Sequence, residues 1–133
     1  MFRSVLAAAS LAAFANAGQA IQASKACVTN SGGYVLHWWY DDLNLDTESP
    51  DSGNYPIDQT RCMDMVGNIV GLETGNFVEV YVHAQAGVTK SADNPLIYDP
   101  TGPVVTYTCN GTTLNFHCKA NGYDEDEDLV EFQ

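Results

Sequence analysis

The segment Tyr34-Val35-Leu36-His37-Trp38-Trp39-Tyr40-Asp41 gathers two indoles, two phenols, an imidazole and a carboxylate within eight residues. On a strand, successive side chains point to opposite faces, so Trp38 and Trp39 cannot both enter one core. Tyr34, Leu36, Trp38 and Tyr40 form the more apolar set and are expected inward, which leaves Val35, His37, Trp39 and Asp41 outward. The same alternation turns Val78, Val80, Val82 and Ala84 inward, and Phe77, Glu79, Tyr81, His83 and Gln85 outward. If these strands share a sheet, its outer face carries Trp39, Tyr81, His37, His83, Glu79 and Asp41. A sugar is held by stacking its C–H faces on aromatic rings while polar side chains take its hydroxyls. Those six residues are of the types that task needs. The competing expectation is that the rings are packing residues, covered by a loop or a second layer.

Other chemistry is sparse. Asp41 and Glu79 could serve a small hydrolase, since a glycosidase works with two carboxylates about 5–10 Å apart across its sugar. No G-x-S-x-G motif is present, and Arg61 is the sole arginine after Arg3, too little to hold the phosphate of a nucleic acid. His37, His83 and His117 all fall at outward positions. A zinc site takes three or four converging ligands, and independent surface placement accounts for the three without a metal. Asp42-x-Asn44-x-Asp46-x-Glu48 opens like a calcium loop, but the sixth and twelfth positions hold Thr47 and Gly53, where an EF-hand needs Gly and Glu. A looser calcium site built on Asp42, Asn44, Asp46 and Glu48 is the surviving version, against an acidic solvated loop. No cofactor is expected.

The elements that must position these groups are strands. Runs at Gly33–Asp41, Ile57–Val66, Phe77–Ala86, Leu96–Tyr98, Val104–Cys109 and Thr112–Cys118 are separated by turn-rich stretches, and no window shows a helical period. Six or seven short strands at this spacing predict an all-β fold, a small antiparallel β-sandwich stapled by disulfides. Leu96–Tyr98, between Pro95 and Pro100, is expected at an edge. Asn110-Gly111 reads as a two-residue hairpin turn that sets Cys109 opposite Thr112, Tyr107 opposite Leu114 and Val105 opposite Phe116. That register keeps Cys109 and Cys118 apart, each bridging to Cys27 or Cys62. An irregular loop would allow Cys109–Cys118 with Cys27–Cys62, and both connectivities stay open.

The ends and the charge bound the setting. Arg3, the apolar run Val5–Phe14 and Ala15-Asn16-Ala17 make residues 1–17 a signal peptide, too short to span a bilayer. Residues 18–123 then form one secreted domain, and 124–133, opening with five consecutive acids, an acidic tail. An even number of cysteines and the sequon Asn110-Gly111-Thr112, which makes Asn110 a candidate glycosylation site, suit an extracellular protein. All seventeen acidic residues lie at or after Asp41, and the formal net charge is −12. Such a surface repels phosphate backbones and anionic lipid heads, so neither nucleic acid nor membrane insertion is expected. The expected function is non-catalytic binding of an extracellular glycan or cell-surface protein. The alternatives are an effector-like or structural protein that engages a basic partner through its acidic surface, and the hydrolase.

Overall fold

A computed structural model of the chain describes residues 19–122, so the expected signal peptide and acidic tail lie outside the described residues. The described residues form ten strands and no helix: β1 (Ile21–Ala23), β2 (Lys25–Asn30), β3 (Leu36–Asp42), β4 (Thr47–Glu48), β5 (Gln59–Asp64), β6 (Phe77–Ala84), β7 (Thr89–Ser91), β8 (Leu96–Tyr98), β9 (Val104–Thr112) and β10 (Asn115–Ala120). They make two packed sheets. The first runs β1-β8-β6-β3-β4, with β7 also on β6; the second runs β10-β9-β2-β5. Most pairings are antiparallel, as expected of a sandwich, but β1–β8 and β2–β9 are parallel. Ser24 separates β1 in one sheet from β2 in the other, so the chain changes layer at that residue.

Period two explains the core. Leu36, Trp38 and Tyr40 of β3 and Val78, Val80, Val82 and Ala84 of β6 are buried, and every residue between them is only half-buried. Ala26 and Val28 of β2, Val105 and Tyr107 of β9 and Phe116 of β10 complete the interior from the second sheet. Both sheets are tied across that interior by tyrosine hydroxyls. Tyr40 Oη accepts the Ala26 N–H at 2.8 Å and donates to the Met63 carbonyl at 2.5 Å, while Tyr55 Oη donates to the Val28 carbonyl at 2.6 Å.

Two expectations are corrected. Leu96–Tyr98 is not an edge strand: β8 lies between β6 and β1, and β1 takes the edge. Nor does the chain turn at Asn110-Gly111. The β9–β10 ladder continues through Gly111↔Phe116 to Thr112↔Asn115, so the reversal falls at Thr113-Leu114, three residues later. Gly111 is needed there for close approach, because a Cβ at that position would lie 2.4 Å from the Asn115 carbonyl oxygen and its φ is 108°. The later turn puts Cys109 directly opposite Cys118, and the two are bridged. Cys27–Cys62 is the other disulfide, also between directly opposed residues of neighbouring antiparallel strands. Tyr107 therefore faces Ala120, and Leu114, expected opposite Tyr107, is exposed in the turn.

Removing the Tyr40 hydroxyl tests how much the inter-sheet tie contributes. Tyr40→Phe leaves a buried N–H without its acceptor, and the expected loss is about 1–3 kcal/mol. Urea denaturation should show a lower midpoint with an unchanged slope. An unmoved midpoint would show that the tie contributes nothing net.

Candidate functional site

The six residues expected on one outer face are brought together as three consecutive cross-strand pairs of β3 and β6: His37↔His83, Trp39↔Tyr81 and Asp41↔Glu79. Alternate residues on a strand lie about 6.8 Å apart, so the strip is about 14 Å long. All six are half-buried. The Trp39 and Tyr81 rings lie 6.0 Å apart between centroids with planes only 15° from parallel. His37 stands 5.6 Å from Trp39 and 5.2 Å from His83, so four rings run without a gap from the middle of the strip to one end. The Trp39 Nε1 is buried and has no hydrogen-bond partner among the described residues, so the ring meets the medium through its carbon atoms.

The histidines are anchored from outside their own strand pair. His37 Nδ1 is 3.0 Å from Asn54 Oδ1, and His83 Nδ1 is 2.7 Å from Thr89 Oγ1. Asn54 lies on the segment that follows β4, and Thr89 on β7. Neither was singled out from sequence, since only the paired register shows what lies beside each imidazole.

The opposite end is anionic. Glu48 on β4 pairs with Asp41 from the far side, so Glu48, Asp41 and Glu79 form a row of carboxylates across three strands. Partial burial, and then the charges of Glu48, Asp46, Glu79 and Asp42, hold the Asp41 carboxyl above its ordinary value. Burial, a hydrogen bond to Glu79 and the charges of Glu79, Asp41 and Glu48 push the Tyr81 phenol up to about 12. Like charges directly opposed on a sheet are destabilising. The sequence placed Glu48 in a loop; the short pairing Asp42↔Thr47 that brings it beside Asp41 gives no periodic signal.

The other calcium-loop residues are used to build the β3–β4 turn. Asp42 is fully buried, its Oδ1 accepting the Asn44 and Leu45 N–H groups and its Oδ2 the Asn76 side-chain amide. Asn44 Oδ1 accepts the Phe77 N–H, and Asp46 closes the turn at φ 56°. Among the described residues no three or more His, Cys, Asp or Glu side chains are grouped to hold a metal. His117 lies on β10, opposite Asn110 and in the other sheet from His37 and His83. Asn110 itself is exposed. An open concavity of about 510 Å³ at the β1–β2 crossover is lined by Ser24, Lys25, Asp64, Val66, Tyr98 and Val104, with Lys25 and Asp64 3.7 Å apart. None of the six strip residues lines it.

No protein-family model matches the chain, and no curated protein matches it. Among solved structures it is similar to pneumolysin, with 15% identity, 74% of this chain and 23% of that chain covered, and a TM-score of 0.43. It is also similar to a Gram-negative toxin, with 14% identity, 76% and 23% coverage, and a TM-score of 0.42. The chain thus spans about a quarter of those structures, and likeness at that level identifies neither a family nor an activity.

The carboxylate row makes a pH prediction. Because the Asp41 pKa is higher in the folded chain than its ordinary 3.8, the folded state binds the extra proton. Stability therefore falls as pH rises from 3.8 through the folded value, and the penalty is fully present at neutral pH. Asp41→Asn removes it. The variant should denature at a higher midpoint than the native chain at pH 7, with the gap closing near pH 3; equal midpoints at both would refute the penalty from burial and neighbouring charge.

Proposed function

We propose that the protein is a secreted, non-catalytic binding domain that recognises an extracellular glycan or cell-surface ligand on the outer face of its first sheet. The observation that supports this reading is the near-parallel Trp39–Tyr81 ring pair, half-exposed at the centre of the strip. Polar groups capable of meeting hydroxyls lie on both sides of it. A rigid ring pair on paired strands offers stacking area with little entropy left to lose on binding. The two disulfides agree with an oxidising compartment.

The hydrolase alternative draws less support. Asp41 and Glu79 share one rung of a sheet face. A glycosidase holds its two carboxylates on either side of the scissile bond, which two neighbours on one surface do not do.

Intrinsic tryptophan fluorescence, followed while soluble polysaccharides are titrated in, tests the reading. A saturable shift is expected for at least one glycan. Trp39→Ala should weaken retention on that glycan about tenfold or more, the equivalent of a lost aromatic stack, while leaving the far-ultraviolet spectrum intact. Retention unchanged in Trp39→Ala would remove the strip as the binding face.

We further propose that Asn110 carries an N-linked glycan. It is exposed on the second sheet, so a glycan there would leave the first sheet's strip open. Secretion from a eukaryotic host should give a heavier product that an endoglycosidase trims and that Asn110→Gln abolishes. A product of unmodified mass would show the sequon is unused.

A further inference from the structure

We infer that His37 and His83 form a two-histidine chelate for a divalent transition-metal ion such as zinc or copper, at the imidazole end of the strip and independent of any glycan. The two residues are directly opposed on neighbouring antiparallel strands, and their rings lie 5.2 Å apart between centroids. Two imidazoles that both bind one ion through Nε2 at about 2.0–2.1 Å must stand about this close.

The second argument is the anchoring of the other nitrogen. A histidine that ligates a metal almost always donates its remaining ring N–H to an oxygen, which fixes the tautomer and aims the lone pair. Asn54 Oδ1 sits 3.0 Å from His37 Nδ1 and accepts from it in the tautomer that leaves the Nε2 lone pair free for a metal. Thr89 Oγ1, 2.7 Å from His83 Nδ1, can accept in the same way. Both rings thus have an oxygen partner on Nδ1, the nitrogen not offered to the ion. The two partners come from different elements, the segment after β4 and strand β7, so the arrangement is not a by-product of one turn.

Two neutral nitrogen ligands suit zinc and copper better than calcium or magnesium, which take oxygen. Among the described residues no third His, Cys, Asp or Glu is grouped there, which leaves the remaining coordination positions open to water or an incoming ligand. The net charge of −12 favours accumulation of a cation at the surface.

Calorimetric titration of the tag-free, disulfide-intact protein with zinc chloride tests this in the absence of any glycan. One ion per chain is expected. His37→Gln and His83→Gln should each weaken binding at least about tenfold, Asn54→Ala by a smaller factor, and His117→Gln not at all. Zinc binding should also raise the melting temperature by about 5 °C at ten times Kd, and not in His37→Gln. Should a histidine variant fold poorly, the native protein still decides the matter. Substoichiometric copper should broaden amide resonances first at residues 36–38 and 82–84. Broadening centred on His117 or on Asp41, Glu48 and Glu79, or zinc heat undiminished in the His37 and His83 variants, would overturn the site.

Discussion

Tyr40 belongs to the first sheet, yet its hydroxyl is the hydrogen-bond partner of two backbone groups in the second. It takes the Ala26 N–H of β2 and gives its proton to the Met63 carbonyl of β5. A buried N–H left without a partner costs about 1–3 kcal/mol, so this contact discriminates strongly between ways of stacking the layers. Tyr55 makes a similar reach to the Val28 carbonyl, and Tyr107, from the second sheet, donates to the Asn94 carbonyl. Once Tyr40 points inward, strand geometry fixes the rest of β3. Leu36 and Trp38 follow it into the core, and His37, Trp39 and Asp41 are turned out. The outer strip is thus set by hydrogen bonds made on the opposite side of the sheet.

The same strand is secured along its free edge. Beyond β4 no continuous strand among the described residues covers β3, but Ser49 and Ser52 take over the ladder. Each backbone N–H donates to a β3 carbonyl, Tyr40 and Trp38 respectively, at 2.9 and 2.8 Å. Each hydroxyl oxygen accepts the N–H of the same β3 residue, at 2.9 and 3.0 Å. Pro50 lies between them in an otherwise unpaired stretch, so the edge offers no row of free groups to another chain. On the other side β6 is covered in two pieces, by β8 at Phe77 and Val78 and by β7 from Tyr81 to His83. Opposing this order are the carboxylate row and the buried Trp39 N–H, which has no partner among the described residues. The disulfides work in the other direction: closing sequence separations of 35 and 9 residues restricts the unfolded chain by about 4 and about 3 kcal/mol.

The faces of β3 and β6 were legible in the sequence because both strands are long and alternate without a break. Their composition also told which of two adjacent tryptophans would be sealed in. The pairing of the two strands could only be supposed, and with it the rungs, because periodicity in one strand carries no information about its neighbour. β2 escaped notice although it sits between β5 and β9, since Ala26, Cys27 and Val28 are buried in succession and the alternation vanishes. β1, β4 and β7 are two or three residues long, too short to show a period. The β9–β10 turn was misplaced because Asn-Gly is a strong local signal, and here it yielded to the Cys109–Cys118 pairing and the buried Phe116. The prolines around β8 misled similarly. Pro95 stands before the strand, where its missing N–H interrupts no ladder bond, and its carbonyl accepts the Ile21 N–H.

A flat strip recognises differently from a cleft. A ligand bound to such a strip would be touched from one side and stay hydrated on the other, so enclosure would contribute little and the strength of contact would rest on surfaces already in place. The strip also has a direction: carboxylates at the Asp41 rung, aromatic carbon at the Trp39 rung, imidazoles at the His37 rung. A molecule lying along it finds the ends unequal, because a cationic group is favoured beside Glu48, Asp41 and Glu79 and an anionic one is repelled there. No such bias acts at the Trp39–Tyr81 rings, which reward area whatever its orientation. Under the proposed reading, the two ends would set the orientation of a bound chain and the middle its affinity. Both depend on the three rungs staying in register, which the ladders on both sides of β6 and the serine-closed edge of β3 enforce.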